Sequence, residues 1–113
     1  MFRISVGMPV HDRVEFENRR GKRLRLTVND DAAQLVIALS QARKEMKDTS
    51  DQSDEETKRR GALAFANAMF GENQALRLLD FYENNYDIVV AACGKYFNQR
   101  LAAKIAEAQK KVK

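Results

Sequence analysis

Tyr86-Asp87-Ile88-Val89-Val90-Ala91-Ala92-Cys93-Gly94-Lys95-Tyr96-Phe97-Asn98-Gln99-Arg100-Leu101-Ala102-Ala103-Lys104-Ile105-Ala106-Glu107-Ala108-Gln109-Lys110-Lys111-Val112 carries apolar side chains at Ile88, Val89, Ala92, Cys93, Tyr96, Phe97, Leu101, Ile105, Ala108 and Val112. Steps of three and four residues are the period of one face of an α-helix, so the segment reads as one long amphipathic helix opened by Tyr86 or Asp87. Gly94 lies inside it, where glycine costs about 1 kcal/mol against alanine. It predicts either close packing of another element at that point or plain tolerance. About 25 residues of helix span roughly 37 Å. A compact domain of this length has a radius of gyration of roughly 13 Å, a sphere roughly 34 Å across. The end of the helix from Leu101 onward is therefore expected to project, or to pack on another subunit. Leu101, Ile105, Ala108 and Val112 would then form a narrow stripe suited to docking against a partner helix. A frayed, solvated end is the alternative.

Upstream of this helix, Glu83-Asn84-Asn85 is a turn. Asn73 can cap a short helix with Leu76, Leu79 and Tyr82 on one side and Leu78 and Phe81 beside them. Ser53 or Asp54 starts an earlier helix, and Ser53 with Glu56 fits a capping box. Its stripe is Leu63, Ala66, Met69 and Phe70, flanked by Phe65, and Gly71 ends it. Asp48 to Ser53 has no apolar residue and is expected to be a flexible loop. Before it, Asn29-Asp30-Asp31 offers N-caps to a first helix with Ala32, Leu35, Val36, Leu39, Ala42 and Met46 at helical period.

Closer to the N-terminus the period changes to two. Val14-Glu15-Phe16-Glu17 and Leu24-Arg25-Leu26-Thr27-Val28 alternate on either side of Asn18-Arg19-Arg20-Gly21-Lys22, with Gly21 free to take positive φ. This predicts a β-hairpin with Val14, Phe16, Leu24, Leu26 and Val28 on one face. A lone hairpin is marginal in water, so that face must lie on helices. Phe2 to Val10, with the only proline at Pro9, reads as a loose edge strand or an arm. The expected fold is mainly α with an N-terminal β-hairpin (α+β) and about four helices. One domain spans 1–113, with arm and hairpin in 1–29 and the helical part in 30–113.

The composition agrees with one modest core: of 113 residues, 44% are hydrophobic and 32% charged, too apolar for a wholly disordered chain. Small domains are marginally stable, so a partner or self-association into a homo-oligomer would help. The net charge is +4, concentrated at Arg19, Arg20, Lys22, Arg23 and Arg25 and again at Lys104, Lys110, Lys111 and Lys113. The first cluster could contact nucleic-acid phosphates; solvated surface and helix C-terminal charge explain the same residues without a ligand. The single cysteine, Cys93, excludes an intramolecular disulfide and a cysteine-built zinc site, and its apolar setting predicts a buried, inert thiol. Neither a signal-peptide h-region at Met1 to Gly7 nor a membrane-length apolar run is visible, so a cytoplasmic protein is expected.

Chemistry is sparse. His11, the only histidine, lies between Val10 and Asp12, and a Cys93–His11 pair lacks any orienting signature. Glu55-Glu56 is the densest carboxylate pair, explained by helix N-terminal charge. Phosphate loops, dinucleotide fingerprints and His-Glu-x-x-His are absent, and Asp48 to Glu56 lacks the central glycine of a calcium loop. No catalytic residue, metal or cofactor is expected.

Phe70-Gly71-Glu72-Asn73-Gln74-Ala75-Leu76-Arg77-Leu78-Leu79-Asp80-Phe81-Tyr82, then Asn84-Asn85-Tyr86-Asp87, then Ala92 to Leu101 with Tyr96-Phe97-Asn98-Gln99-Arg100-Leu101, and a Lys-rich end at Lys104 to Lys111 form a recognisable order. It resembles the small tail assembly chaperones of long-tailed phages and prophages of Gram-positive bacteria. The resemblance covers about the last 45 residues of the chain. It implies a non-enzymatic protein that binds the helical tape measure protein, keeps its apolar stripe soluble, and hands it to the major tail protein as the tube polymerises.

Overall fold

The structure, a computed structural model, describes residues 9–47 and 54–110. The start of the arm read at Phe2 to Val10, the loop read at Asp48 to Ser53, and Val112 lie outside the described residues.

The chain opens with an antiparallel hairpin of β1 (Pro9–Glu17) and β2 (Arg23–Asp31), in which Val14 faces Leu26 and Phe16 faces Leu24. The turn closes around Asn18, whose Oδ1 accepts from the backbone N–H of Arg20 at 3.0 Å and of Lys22 at 3.1 Å. Gly21 supplies the φ of 77° that the turn needs and that a side chain would disfavour. Alternation begins earlier than Val14: Val10 and Asp12 also face inward. β2 is anchored to the helices through Gln74. The Thr27 N–H donates to Gln74 Oε1 at 2.9 Å, and Gln74 Nε2 donates to the carbonyls of Thr27 and Phe70, each at 2.8 Å. One amide thus satisfies a half-buried backbone position of the sheet edge.

Four helices follow among the described residues: α1 (Ala32–Met46), α2 (Glu55–Phe70), α3 (Glu72–Phe81) and α4, which runs through Tyr86–Tyr96, a π-helical turn at Phe97–Leu101, and Ala102–Lys110. Asp54, one of the two starts offered by the sequence, caps α2: its carboxylate accepts from the Thr57 N–H at 2.8 Å, while Ser53 lies outside the described residues. Gly71, at φ 84°, ends α2 and starts α3 in a single residue. Asn73 therefore lies inside the first turn of α3 and is not its cap. The buried side of α3 is Ala75, Leu78 and Leu79. Leu76, read as part of the stripe, is 41% exposed; small Ala75, not Leu76, is the residue turned onto the body. The turn into α4 uses Glu83 and Asn84 at φ 56° and 60°, after which Asn85 Oδ1 accepts from the Ile88 N–H at 3.3 Å.

Leu26, Val28, Leu35, Leu78, Val89, Cys93 and Leu101 are the fully buried centre of the core. The Phe70 ring joins hairpin and helices, edge-on to Phe16 and stacked on Tyr96, with centroids 5.9 Å away in both cases.

The inward face of α4 corrects two expectations. It runs Val89, Cys93, Tyr96, then Leu101, Ile105, Ala108. The step from Tyr96 to Leu101 is five residues, which the π-turn absorbs, so the period of three and four is broken once. The helix end does not project. The body is elongated, with extents of 51 × 31 × 23 Å, so a long rod can lie along it. The spherical estimate failed because this domain is not a sphere. The C-terminal half of α4 packs on α1 and β1.

Candidate functional site

Of the stripe expected to meet a partner, Leu101, Ile105 and Ala108 are 0%, 6% and 8% exposed. They are core residues of the monomer and not a free docking face. They lie in the part of α4 that packs on α1 and β1.

Three of the five basic hairpin residues sit in exposed ion pairs. Arg20 Nη2 lies 2.8 Å from Glu83, and Arg25 and Arg23 lie 3.0 and 3.6 Å from Glu15. Among the described residues, Arg19 and Lys22 have no ion pair. His11 sits exposed on the outer side of β1 while Cys93 is fully buried, so the structure does not bring this pair together. Burial pushes the Cys93 thiol up to about 12. Among the described residues no group of three His, Cys, Asp or Glu could hold a metal ion, and no helix is long and apolar enough to cross a membrane.

Asp12 is a residue the sequence reading passed over. Placed by strand alternation on the buried face of β1, it would be a costly isolated charge. Instead Arg100 grips it with Nε at 2.7 Å and Nη2 at 2.8 Å, and Tyr96 Oη donates at 2.7 Å. Lys104 Nζ stands 3.8 Å away. Tyr96, Arg100 and Lys104 of α4 all reach this one carboxylate, which clasps strand to helix. The Arg100 hydrogen bonds, opposed by burial and helped by Tyr96, lower Asp12 to about 2. Burial, then the bond to Asp12, raises the Tyr96 hydroxyl far above its usual value. Near neutral pH neither group exchanges a proton, so this cluster suits holding, not acid–base work.

A different surface remains open. α1 and α4 lie side by side in opposite directions with an unfilled groove along their seam. At one end, a cavity of about 250 Å³ is bounded by Val36, Leu39 and Arg43 and by Phe97, Ala102 and Ile105. It runs into a second, about 340 Å³, that shares Leu39, Arg43 and Phe97 and adds Met46, Lys47, Phe65 and Gly94. Val36 and its neighbour Ile37 are 42% and 51% exposed. Gly94 forms part of the floor. A Cβ built there would meet nothing within 4 Å, so no element of the described chain packs closely on this glycine. The groove could not be seen in sequence, since Val36, Leu39 and Phe97 have ordinary helical spacing and their partial exposure arises only where α1 and α4 meet.

Compared with known proteins, the chain matches no family model, no curated protein and no solved structure.

Proposed function

We propose that this chain is a non-enzymatic tail assembly chaperone of phage or prophage origin, working in the host cytoplasm. It binds the tape measure protein and keeps that protein's apolar stripe out of water until major tail protein subunits enclose it. The observation that carries the reading is the largely apolar groove formed by the two adjoining cavities between α1 and α4. Its length along α1, from Val36 to Lys47, is roughly 16 Å, or about three turns of a docked helix. An amphipathic helix presenting residues at i, i+3, i+4 and i+7 to such a groove is a familiar mode of recognition. The order of aromatic and basic residues from Phe70 to Lys111 supports the same reading.

Two observations test it. A tape measure gene beside this one, with a tail tube gene on the other side, is expected. Co-expression with a tape measure fragment should move that fragment from pellet to supernatant, and a Val36→Asp, Phe97→Asp double variant should fail to do so. A fragment that pellets equally with and without the protein overturns the proposal.

A further inference from the structure

The groove has a charge as well as a shape. Among the described residues its charged lining is Arg43 and Lys47, with no aspartate or glutamate in either half. Both cations are exposed, and neither forms an ion pair among the described residues. The groove also keeps a glycine whose missing side chain none of the described residues requires: Gly94 is helical, its φ is ordinary, and a Cβ there would meet nothing within 4 Å among them. In a free-standing helix alanine is the better residue. A bare floor becomes useful only when another backbone lies on it.

We infer that the α1–α4 groove takes an amphipathic helix whose apolar stripe is flanked by acidic residues, with its backbone closest over Gly94. The inference rests on the helix-holding reading above and narrows its partner. The stripe fills the space between Leu39 and Phe97. Carboxylates at its margin meet Arg43 and Lys47, and a partner helix flanked by lysines meets the same two cations unfavourably. Rim charges of this kind govern choice of partner and speed of encounter more than total affinity.

The probes are two synthetic helical peptides with one leucine–alanine stripe, glutamates flanking it in the first and lysines in the second. Binding to the full chain is read by fluorescence anisotropy at moderate salt. The glutamate peptide is expected to bind about tenfold tighter, two exposed charge contacts being worth about that much. Arg43→Glu with Lys47→Glu should reverse the order. Gly94→Leu should abolish binding of both. Gly94→Ala guards against misfolding: it should raise the melting temperature by a few degrees and still weaken the glutamate peptide. Equal binding of the two peptides, binding of neither, or wild-type affinity in the Gly94 variants overturns the inference. Solubilisation of a tape measure fragment without any charge preference would sink this inference alone. Charge-selective peptide binding by a protein that leaves the fragment in the pellet would sink the chaperone reading and keep the groove.

Discussion

Asp12→Asn changes one charge in the interior and almost no volume. In the folded chain Asp12 accepts from Arg100 Nε and Nη2 at 2.7 and 2.8 Å and from Tyr96 Oη at 2.7 Å. Chiefly through the Arg100 hydrogen bonds, its carboxyl falls from an ordinary 3.8 to about 2. Each pH unit of such a displacement corresponds to about 1.4 kcal/mol, so the full effect would exceed about 2 kcal/mol. The Arg100 side chain is 58% exposed, and water screens part of the attraction. A loss of about 1–2 kcal/mol at pH 7 is therefore expected for Asp12→Asn. The sign follows from the direction of the displacement. A carboxyl lowered by folding stabilises the native state fully above its unfolded value, and that contribution disappears as the pH falls through the folded value. The wild type should lose it between about pH 4 and pH 2, whereas Asp12→Asn has none to lose. Urea unfolding at a series of pH values reads the gap directly. A gap that keeps its size down to pH 2, or that is missing at pH 7, would show that the clasp does not work through the charge on Asp12.

Cys93 is fully buried with its thiol raised to about 12, so it should resist thiol reagents at neutral pH and react only when denaturant is added; rapid labelling of the native chain would contradict this. Leu101→Ala removes a fully buried side chain and should cost about 3 kcal/mol in equilibrium unfolding, as expected for core and not for surface. Arg23→Ala with Arg25→Ala removes exposed partners of Glu15 and should cost less than about 1 kcal/mol by the same assay. Deleting Gln99 shortens the five-residue step across the π-turn to four, so helicity and melting temperature should stay close to wild type. Deleting Ala103 instead turns everything beyond it by about 100° and should lower the melting temperature sharply; equal losses from the two deletions would count against the π-turn as the accommodating element.

Periodicity in this chain was legible wherever one face was buried and local rules agreed. The hairpin around Gly21, the end of α2 at Gly71, and the start of α4 after Asn85 are positions where backbone chemistry narrows the choices. Errors arose where two reasonable phases compete. In α3, Leu76 and Leu79 make as good a stripe as Ala75, Leu78 and Leu79 until small Ala75 is seen to let the helix approach the sheet. In α4, Phe97 and Leu101 are four residues apart and look like one face, yet Leu101 is fully buried while Phe97 borders the groove. Asp12 was legible in principle: continuing the alternation back from Phe16 and Val14 places it inside. A buried charge needs a partner, and its partner is 88 residues away, a separation no local pattern reports. The groove was not legible at all, because it is a gap between two helices and depends on the angle at which they meet.

The π-turn links these features. Three of its five residues point in different directions: Phe97 toward the groove, Arg100 toward Asp12, and Leu101 into the core. In a regular α-helix, residues four apart share a face, and Phe97 and Leu101 would compete for the same side. The extra residue in the turn separates them. Leu101, Ile105 and Ala108 then stay in phase with Val89, Cys93 and Tyr96, while Phe97 is released to the seam with α1. The apolar material first assigned to an exposed helix end is thus consumed in closing the monomer. What remains open for a partner is the side that the change of phase uncovers, between Val36 and Lys47 of α1 and Gly94 and Phe97 of α4.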